Sequence, residues 1–430
     1  MKPPQPSTMS DIGSGPENSD AEEHVVDVLI VGGGFVGASF AAALDGSGLR
    51  VALVDRADPA EALSATFDGR AFAISAANQR MLEGIGLWHR LAATSAPILD
   101  IRVSDGPSLL FLHYDHEDVG EGPMGYMVEN HHLRVALHER LRTLDNCSEF
   151  APDRLETLEH GPGGVAATLA GGRRIRARLA VGADGRGSEI RRRAGIGLTH
   201  WDYGQVGIVC TVRHERDHEF VAHERFLAAG PFAILPLIGD DAAKANRASI
   251  VWIERAELAP AMMALDDATF VAELERRFGN FLGAVEVIGP RWSYPLSLQF
   301  ARDTVAERLV LIGDAAHGMH PIAGQGLNMG LRDVATLAEV LVEAHRLGLD
   351  VGAGSVLSRY QRWRRFDNAV MLAATDVLNR LFSNDIGPLR LARDLGLAAV
   401  DKLPPLKKLF MRHAMGVVGE LPKLLQGRPL

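Results

Sequence analysis

The sequence predicts an α/β protein of two lobes with a helical C-terminal region, and three observations carry that prediction. A strand–glycine–helix–strand unit opens the ordered chain and ends at Asp55. A second strand-to-helix passage, around Gly313 to Gly326, is unusually rich in glycine. Between them, residues 200–300 change to apolar runs separated by glycine turns, as in a mostly antiparallel sheet. At 430 residues and 47% hydrophobic content, the chain has material for a large core divided between two lobes. A net charge of -9 excludes bulk nucleic-acid binding. The two cysteines, Cys147 and Cys210, lie far apart without metal-ligand spacing and fit reduced thiols. No apolar run reaches the roughly 18 residues of a membrane span.

Residues 1–24 are rich in Pro, Ser, Gly, Asp and Glu and cannot bury enough surface to order themselves, so a disordered leader is expected, with Met9 as an alternative start. The segment lacks a secretory h-region, and it is acidic where a mitochondrial transit peptide is Arg-rich. A strand over 25–31 leads into Gly32-Gly-Gly-Phe-Val-Gly37, which holds the spacing Gly32-x-Gly34-x-x-Gly37. A helix of small residues covers 38–44, and a second strand over 49–54 ends at Asp55. The glycines let backbone approach a pyrophosphate, and the helix N-terminus favours its charge. An acid about 20 residues on accepts hydrogen bonds from a ribose. The glycine spacing alone would suit a plain turn, but the ordered set points to a dinucleotide.

Asp68-Gly-Arg70 precedes a helix over 76–85. An arginine here pairs with phosphate, lies over a ring system, or is a surface charge. Residues 99–113 alternate loosely, as a strand does. Residues 125–130 lead into a helix over 131–144, whose Arg134 is placed either to reach a cofactor or to stay on the helix surface. A strand over 175–181 is followed by Asp184-Gly185, by composition a turn. No second full glycine signature appears, so a standing nicotinamide-nucleotide domain is not expected. Strands over 206–212, 226–237 and 248–253, with turns at Gly230-Pro231 and Gly239-Asp240, build the second lobe.

The second glycine-rich passage begins with a short strand over 309–312 that Gly313-Asp314 ends, leaving Asp314 at the carboxyl edge where α/β sheets hold ligands. Gly318 and Pro321 break any early helix. Leu327, Leu331, Val334, Leu337 and Leu341 then recur at helical spacing, so a helix starts near Gly326. Its free N–H groups face whatever the loop encloses, which suits a flat ligand with negative charge near one edge, such as a reduced flavin. His317 and His320 have no third ligand at helical spacing, so no metal is expected. A long helix over 356–382 follows. The stretch 405–413 is basic and apolar together, which fits a membrane or partner contact as well as a docked terminal helix.

Gly313-Asp314 followed by His320-Pro-Ile-Ala-Gly-Gln-Gly-Leu-Asn328 resembles the second flavin-binding motif of class A flavoprotein monooxygenases. Within that class it resembles the ubiquinone-biosynthesis hydroxylases, such as 2-octaprenyl-phenol hydroxylases, and the resemblance extends from Val25 to about Gly416. It implies a Rossmann-like FAD-binding domain with a second, mostly antiparallel β-sheet substrate lobe and C-terminal helices. The expected division is a leader over 1–24, a discontinuous FAD domain over 25–98, 125–198 and 301–350, a substrate lobe over 99–124 and 199–300, and a helical region over 351–430. FAD would be held by Gly32, Gly34, Gly37, Asp55, Arg70, Arg134, Asp184, Gly185, Asp314, Gly324, Gly326, Leu327 and Asn328. Pro321 would close over the ring, and Tyr203 is the candidate for activating a phenol. NADH or NADPH would reduce FAD, O2 would add at flavin C4a as a hydroperoxide, and a prenylated phenol would take the terminal oxygen. Two alternatives stand beside this: a hydroxylase of a soluble aromatic acid, and a non-catalytic flavin-bearing subunit of a biosynthetic assembly. The expected place is the bacterial cytoplasm, with contact at the inner membrane or a biosynthetic complex.

Overall fold

The computed structural model describes residues 23–64, 68–106, 111–120, 122–239, 246–318, 325–382, 393, 396 and 400–430. The leader proper, with Met9, lies outside them.

The nucleotide end is a six-stranded sheet. From one edge its strands are Val305–Ala306, Leu309–Leu311, Leu179–Gly182, Val28–Val31, Val51–Val54 and Cys147–Phe150. All but the first pair run parallel. The central strands are continuous apolar runs because helices and a second small sheet cover both faces; Val28, Leu29, Ile30, Leu53 and Val181 are fully buried. Phe35–Ala43 is the helix that follows Gly34, and it is almost wholly buried. Its small side chains let the Gln325–Arg346 helix approach it. At that crossing, a Cβ on Gly330 would stand 2.7 Å from Val36 Cγ2. The span 175–181, expected as one strand, is divided between two sheets. Arg174–Ala177 joins a four-stranded sheet and Leu179–Gly182 joins the parallel one.

The second sheet has eight strands. In spatial order they are His317–Gly318, Val285–Ala301, Leu198–His214, Arg247–Arg255, Gly230–Leu237, Val221–Leu227, Asp100–Asp105 and Phe111–Asp115. Only Val221–Leu227 and Asp100–Asp105 pair in parallel. The mostly antiparallel lobe expected from the sequence is thus present, but one of its two longest strands, Val285–Ala301, was not foreseen. Pro290, Pro295 and Gly289 interrupt that strand's apolar pattern and hid it.

The two faces of this sheet differ. On the outer face Ile208, Cys210, Phe232, Ile234, Ile250 and Trp252 pack against Phe270 and Leu274 of the Asp267–Phe278 helix, and each is 0–1% exposed. The inner face turns toward the nucleotide end. Leu235, Leu237 and Ala222 cluster with Ala71, Ala73 and Met127, and Thr211 Oγ1 donates to the Gly69 carbonyl over 3.1 Å. His317–Gly318, four residues after Gly313, forms the edge of this same sheet, so the second glycine-rich passage joins both lobes. Among the described residues, no helix is long and apolar enough to cross a membrane.

Candidate active site

The sheet order brings the turns after three neighbouring strands together. Gly32 takes φ +108°, and a Cβ there would stand 2.4 Å from the Ala183 carbonyl oxygen, so only glycine permits this approach of the first turn to the third. A Cβ on Gly37 would meet the Gly32 oxygen at 1.9 Å, which seats the helix tightly on the turn. Gly34 differs: a Cβ there would meet nothing within 4 Å. The backbone at Gly34 therefore borders space that the chain leaves open, at the N-terminus of the Phe35–Ala43 helix. Asp55 ends the neighbouring strand, accepts from the Gly33 N–H and receives the Ala57 N–H at 2.7 Å. Its two oxygens keep lone pairs for a further donor.

Asp184 Oδ2 accepts from the N–H groups of Glu189 (2.7 Å) and Ile190 (3.1 Å), whereas the buried Oδ1 has no partner among the described residues. Gly185 beside it takes φ +81°. Arg191 ties this turn to the next, donating to the carbonyls of Ala315 (2.8 Å) and Arg186 (2.9 Å).

Gly313-Asp314 is held from behind. Gly313 N–H donates to Asp333 Oδ2 over 2.9 Å, His317 Nε2 lies 2.6 Å from the same oxygen, and Arg364 Nε donates to Oδ1 over 2.6 Å. Asp333, His317 and Arg364 are 0%, 3% and 2% exposed. Burial would raise the Asp333 carboxyl, but the adjoining His317 and Arg364 override it and hold the group at about 2. Among the described residues Asp314 has no such support: burial pushes its carboxyl up, opposed by His317 and Arg186.

The remaining residues expected at the cofactor take several positions. Arg70 lies over Trp292, donates from Nη2 to Asp68 at 2.6 Å and reaches the Tyr294 hydroxyl at 3.2 Å. Arg134 stands 3.8 Å from the same Asp68 carboxylate. Gly326, in the first turn of the Gln325–Arg346 helix, has open space where a Cβ would be. Leu327 packs against the nucleotide-end core. The Asn328 side chain is buried, accepting from Ser75 N–H (2.9 Å) and donating to the Ala73 carbonyl (2.8 Å), so its part at a ligand falls to its backbone. Tyr203 donates to Asp376 Oδ1 at 3.1 Å and packs beside Leu298 and Met329. A cavity of about 460 Å³ adjoins this contact, between the sheet edge at Trp201 and Phe300, the turn at Ala316-His317 and the helix side chains Asn368 and Asp376. Pro321, Gly324 and His320 lie outside the described residues.

Asp333, Arg364, Asp68 and Arg186 were missed in the sequence. Asp333 carried a signal: it lies four residues before Leu337, inside the apolar stripe of its helix, where a charged residue implies buried partners. Arg364 carried none, since its partner is 31 residues away in the chain.

The open backbone at Gly34 and Gly326 and the unpartnered Asp184 oxygen fit a dinucleotide lying across the carboxyl edge of the parallel strands. Fold and site together define an α/β protein built to hold a dinucleotide. Residues 25–369 match the family described as FAD binding domain. The ubiquinone hydroxylase UbiL of Rhodospirillum rubrum is 55% identical over 97% of this chain and 96% of its own length. The 3-demethoxyubiquinol 3-hydroxylase of Escherichia coli is 35% identical over 91% and 98%. Among solved structures, p-nitrophenol 4-monooxygenase PnpA from Pseudomonas putida superposes with a TM-score of 0.75 at 20% identity, covering 91% of this chain and 98% of that one, a likeness of fold. The chain belongs to the FAD binding domain family and, within it, to the ubiquinone hydroxylases, the FAD-dependent monooxygenases of ubiquinone biosynthesis.

Proposed function

We propose that this protein hydroxylates the ring of a polyprenylated phenol, with NAD(P)H as electron donor and O2 as oxygen source. The observation that supports this most is the inner face of the large sheet. Val209, Val251, Ala233 and Leu235 lie on it, and each keeps part of its surface accessible. The arginines at its margins have partners: Arg247 donates to Glu129 at 2.8 Å, and Arg393 to Asp105 at 2.7 Å. An aliphatic floor without a central cation suits a prenyl tail, at about 0.8 kcal/mol per buried methylene, and does not suit an aromatic carboxylate.

Bound FAD would supply reducing equivalents from NAD(P)H and the activation of O2. The chain's residues would do the rest. Gly32, Gly34 and Gly37 would admit the pyrophosphate to the helix N-terminus, and Asp55 would accept from the ribose. Arg70, Arg134, Asp184, Gly185 and Asp314 would line the remaining length. The backbone of Gly326, Leu327 and Asn328 would place N–H groups and the positive helix end against the pyrimidine edge of the ring. Pro321 and Gly324 keep the roles expected of them as part of this proposal, and Tyr203 contributes through its contact with Asp376. The division of the chain into FAD domain, substrate lobe and helical region is proposed on the same footing.

A bilayer-borne substrate calls for a contact surface. The Pro404–Ala414 helix buries Met411, and Lys407 pairs with Asp118 at 2.8 Å. Its outward arc is apolar: Leu403, Leu406, Leu409 and Phe410 are 52%, 36%, 53% and 46% exposed, with Lys402 and Lys408 close by. This arc, with the exposed Lys408 beside it, is the proposed membrane contact, while Lys407 is turned to Asp118.

The test is turnover by the purified holoenzyme. NAD(P)H oxidation coupled to hydroxylation of a short-chain prenylphenol, and uncoupled or absent with 4-hydroxybenzoate, is the expected result. Coupled hydroxylation of 4-hydroxybenzoate with no response to the prenyl analogue would replace this reading with the soluble-acid one. Flavin that NAD(P)H does not reduce would leave the non-catalytic subunit.

A further inference from the structure

The inner face carries one charged side chain near its middle among the described residues. Strand pairing sets Glu224 beside Ala233 on one side and Val103 on the other; Ala233 pairs with Val251, and Val251 with Val209. Paired residues of neighbouring strands project to the same face, so Val103, Glu224, Ala233, Val251 and Val209 form one row across the sheet. All five keep part of their surface accessible, while the residues next to them in sequence on the outer face, such as Phe232, Ile234 and Ile250, are sealed in the core. The row therefore borders a space that the chain does not fill. The Glu224 carboxylate stands in that row with no hydrogen bond or ion pair to a described residue. The other acids near this face are committed: Asp105 to Arg393 and Glu129 to Arg247. Burial pushes the Glu224 carboxyl up to about 7, and the Tyr114 hydroxyl, on the next strand but one, is pushed up as well, first by burial and then by Glu224 and Asp401.

The aliphatic neighbours leave the half-buried Glu224 carboxylate poorly solvated and without a side-chain partner among the described residues, so a ligand hydroxyl that enters this row finds an acceptor in place. We propose that Glu224 is the residue of the substrate site that accepts a hydrogen bond from a ring hydroxyl of the bound phenol, and that its negative charge excludes aromatic acids. The inference rests on the phenol reading above and deepens it, by naming a recognition residue that the motifs of the sequence do not reach. A hydroxyl facing Glu224 is a donor in an otherwise apolar row. A substrate carboxylate in the same place would set two acids side by side in a poorly solvated site.

The experiment uses the FAD-loaded enzyme and reads ligand binding from the change in the flavin absorption spectrum, alongside NAD(P)H oxidation. The probes are a diprenylphenol and 4-hydroxybenzoate. For E224Q, which keeps shape and loses charge, the diprenylphenol Kd should rise at least about tenfold. The Kd for 4-hydroxybenzoate should fall in E224Q, and fall further in E224R. The melting temperature of E224L should equal or exceed that of the wild type, because a purely structural acid would not be released from a cost by its removal. Unchanged diprenylphenol binding in both E224Q and E224L, or an E224L protein that melts lower with unaltered ligand binding, would overturn the assignment to Glu224. A wild-type enzyme indifferent to diprenylphenol would overturn the prenylphenol reading. The 4-hydroxybenzoate arm judges Glu224 separately, because equal binding of that acid by wild type and E224Q denies the exclusion whatever the natural substrate is.

Discussion

The two ends of the molecule bound their open spaces in opposite ways. At the nucleotide end the space is bounded by backbone turns, and a fully buried charged network stands behind them: Asp333 takes the Gly313 N–H, His317 and Arg364 at 2.6–2.9 Å. At the sheet end the space is bounded by side chains on one face of regular strands, nearly all aliphatic, with Glu224 alone in the middle row. The first arrangement fixes a shape common to every dinucleotide. The second fixes only polarity and volume, so single substitutions there alter which substrate fits while the fold stands. The first end should therefore be brittle toward mutation, and the second tolerant in stability and sensitive in specificity.

The largest effect should come from the buried network. Asp333→Ala removes the shared acceptor of His317, Arg364 Nε and the Gly313 N–H in the core, a loss of about 3–5 kcal/mol, although Arg364 keeps Asp367 and Asn368. Denaturant unfolding with and without added FAD measures it, and a loss below about 1 kcal/mol would show that the network does not brace the turn. The sign with pH follows from the depressed carboxyl. Asp333, at about 2 in the folded protein, contributes stability that is fully present above its ordinary value near 3.8 and is lost as pH falls from there through 2. Asp333→Asn should therefore flatten the acid limb of the stability profile.

Next in size is a core truncation on the outer face of the large sheet. Ile250 is fully buried against the Asp267–Phe278 helix, so Ile250→Ala should cost about 2–5 kcal/mol. Its substrate Kd should stay at the wild-type value, and a shifted Kd would mean that the two faces are not independent.

A smaller and more selective effect belongs to the glycines. Gly34→Val should fold with a near-native melting temperature, since nothing in the chain lies within 4 Å of the added Cβ, while FAD affinity falls at least about tenfold. Equilibrium dialysis of the Gly34 variant against FAD decides whether the open space there is the pyrophosphate site. Retained affinity would move the cofactor elsewhere.

The same contrast explains what the sequence could tell. The nucleotide end was legible because its constraints are local. Gly32-x-Gly34-x-x-Gly37 lies within one strand-to-helix turn and Gly313-Asp314 within another, so the positions of these turns can be read from residue order, while their contacts with Ala183 and Asp333 cannot. Asp333 was partly legible, as a charge inside an apolar stripe. The sheet face was not. Strand alternation shows that Glu224 and Phe226 share a face, yet which face looks inward depends on the register with Ala233 and Val103, and that is set by pairings more than 100 residues apart in the chain for Val103. The run 226–237, expected as a strand, carries no charged residue, and Glu224 lies two residues before it.

The smallest expected change in stability, and the sharpest in specificity, is Ala233→Phe. Ala233 is the immediate cross-strand neighbour of Glu224, and it is part-accessible where Phe232 and Ile234 beside it are sealed. A ring added there would extend into the open space and displace no packed core atom, so the melting temperature and FAD content should match the wild type. The same ring would occupy the volume proposed for the phenol head or the first isoprene unit. Losing even two methylene contacts costs about 1.6 kcal/mol, enough to raise the diprenylphenol Kd at least tenfold. Flavin reduction by NAD(P)H in the absence of phenol should stay at the wild-type rate, since the nucleotide end is untouched. A variant that binds diprenylphenol normally would show that the substrate lies elsewhere, with the cavity beside Trp201, Phe300 and Asp376 as the next place to fill. A variant that loses FAD would show that the two ends are coupled through the sheet, against the independence that their construction implies.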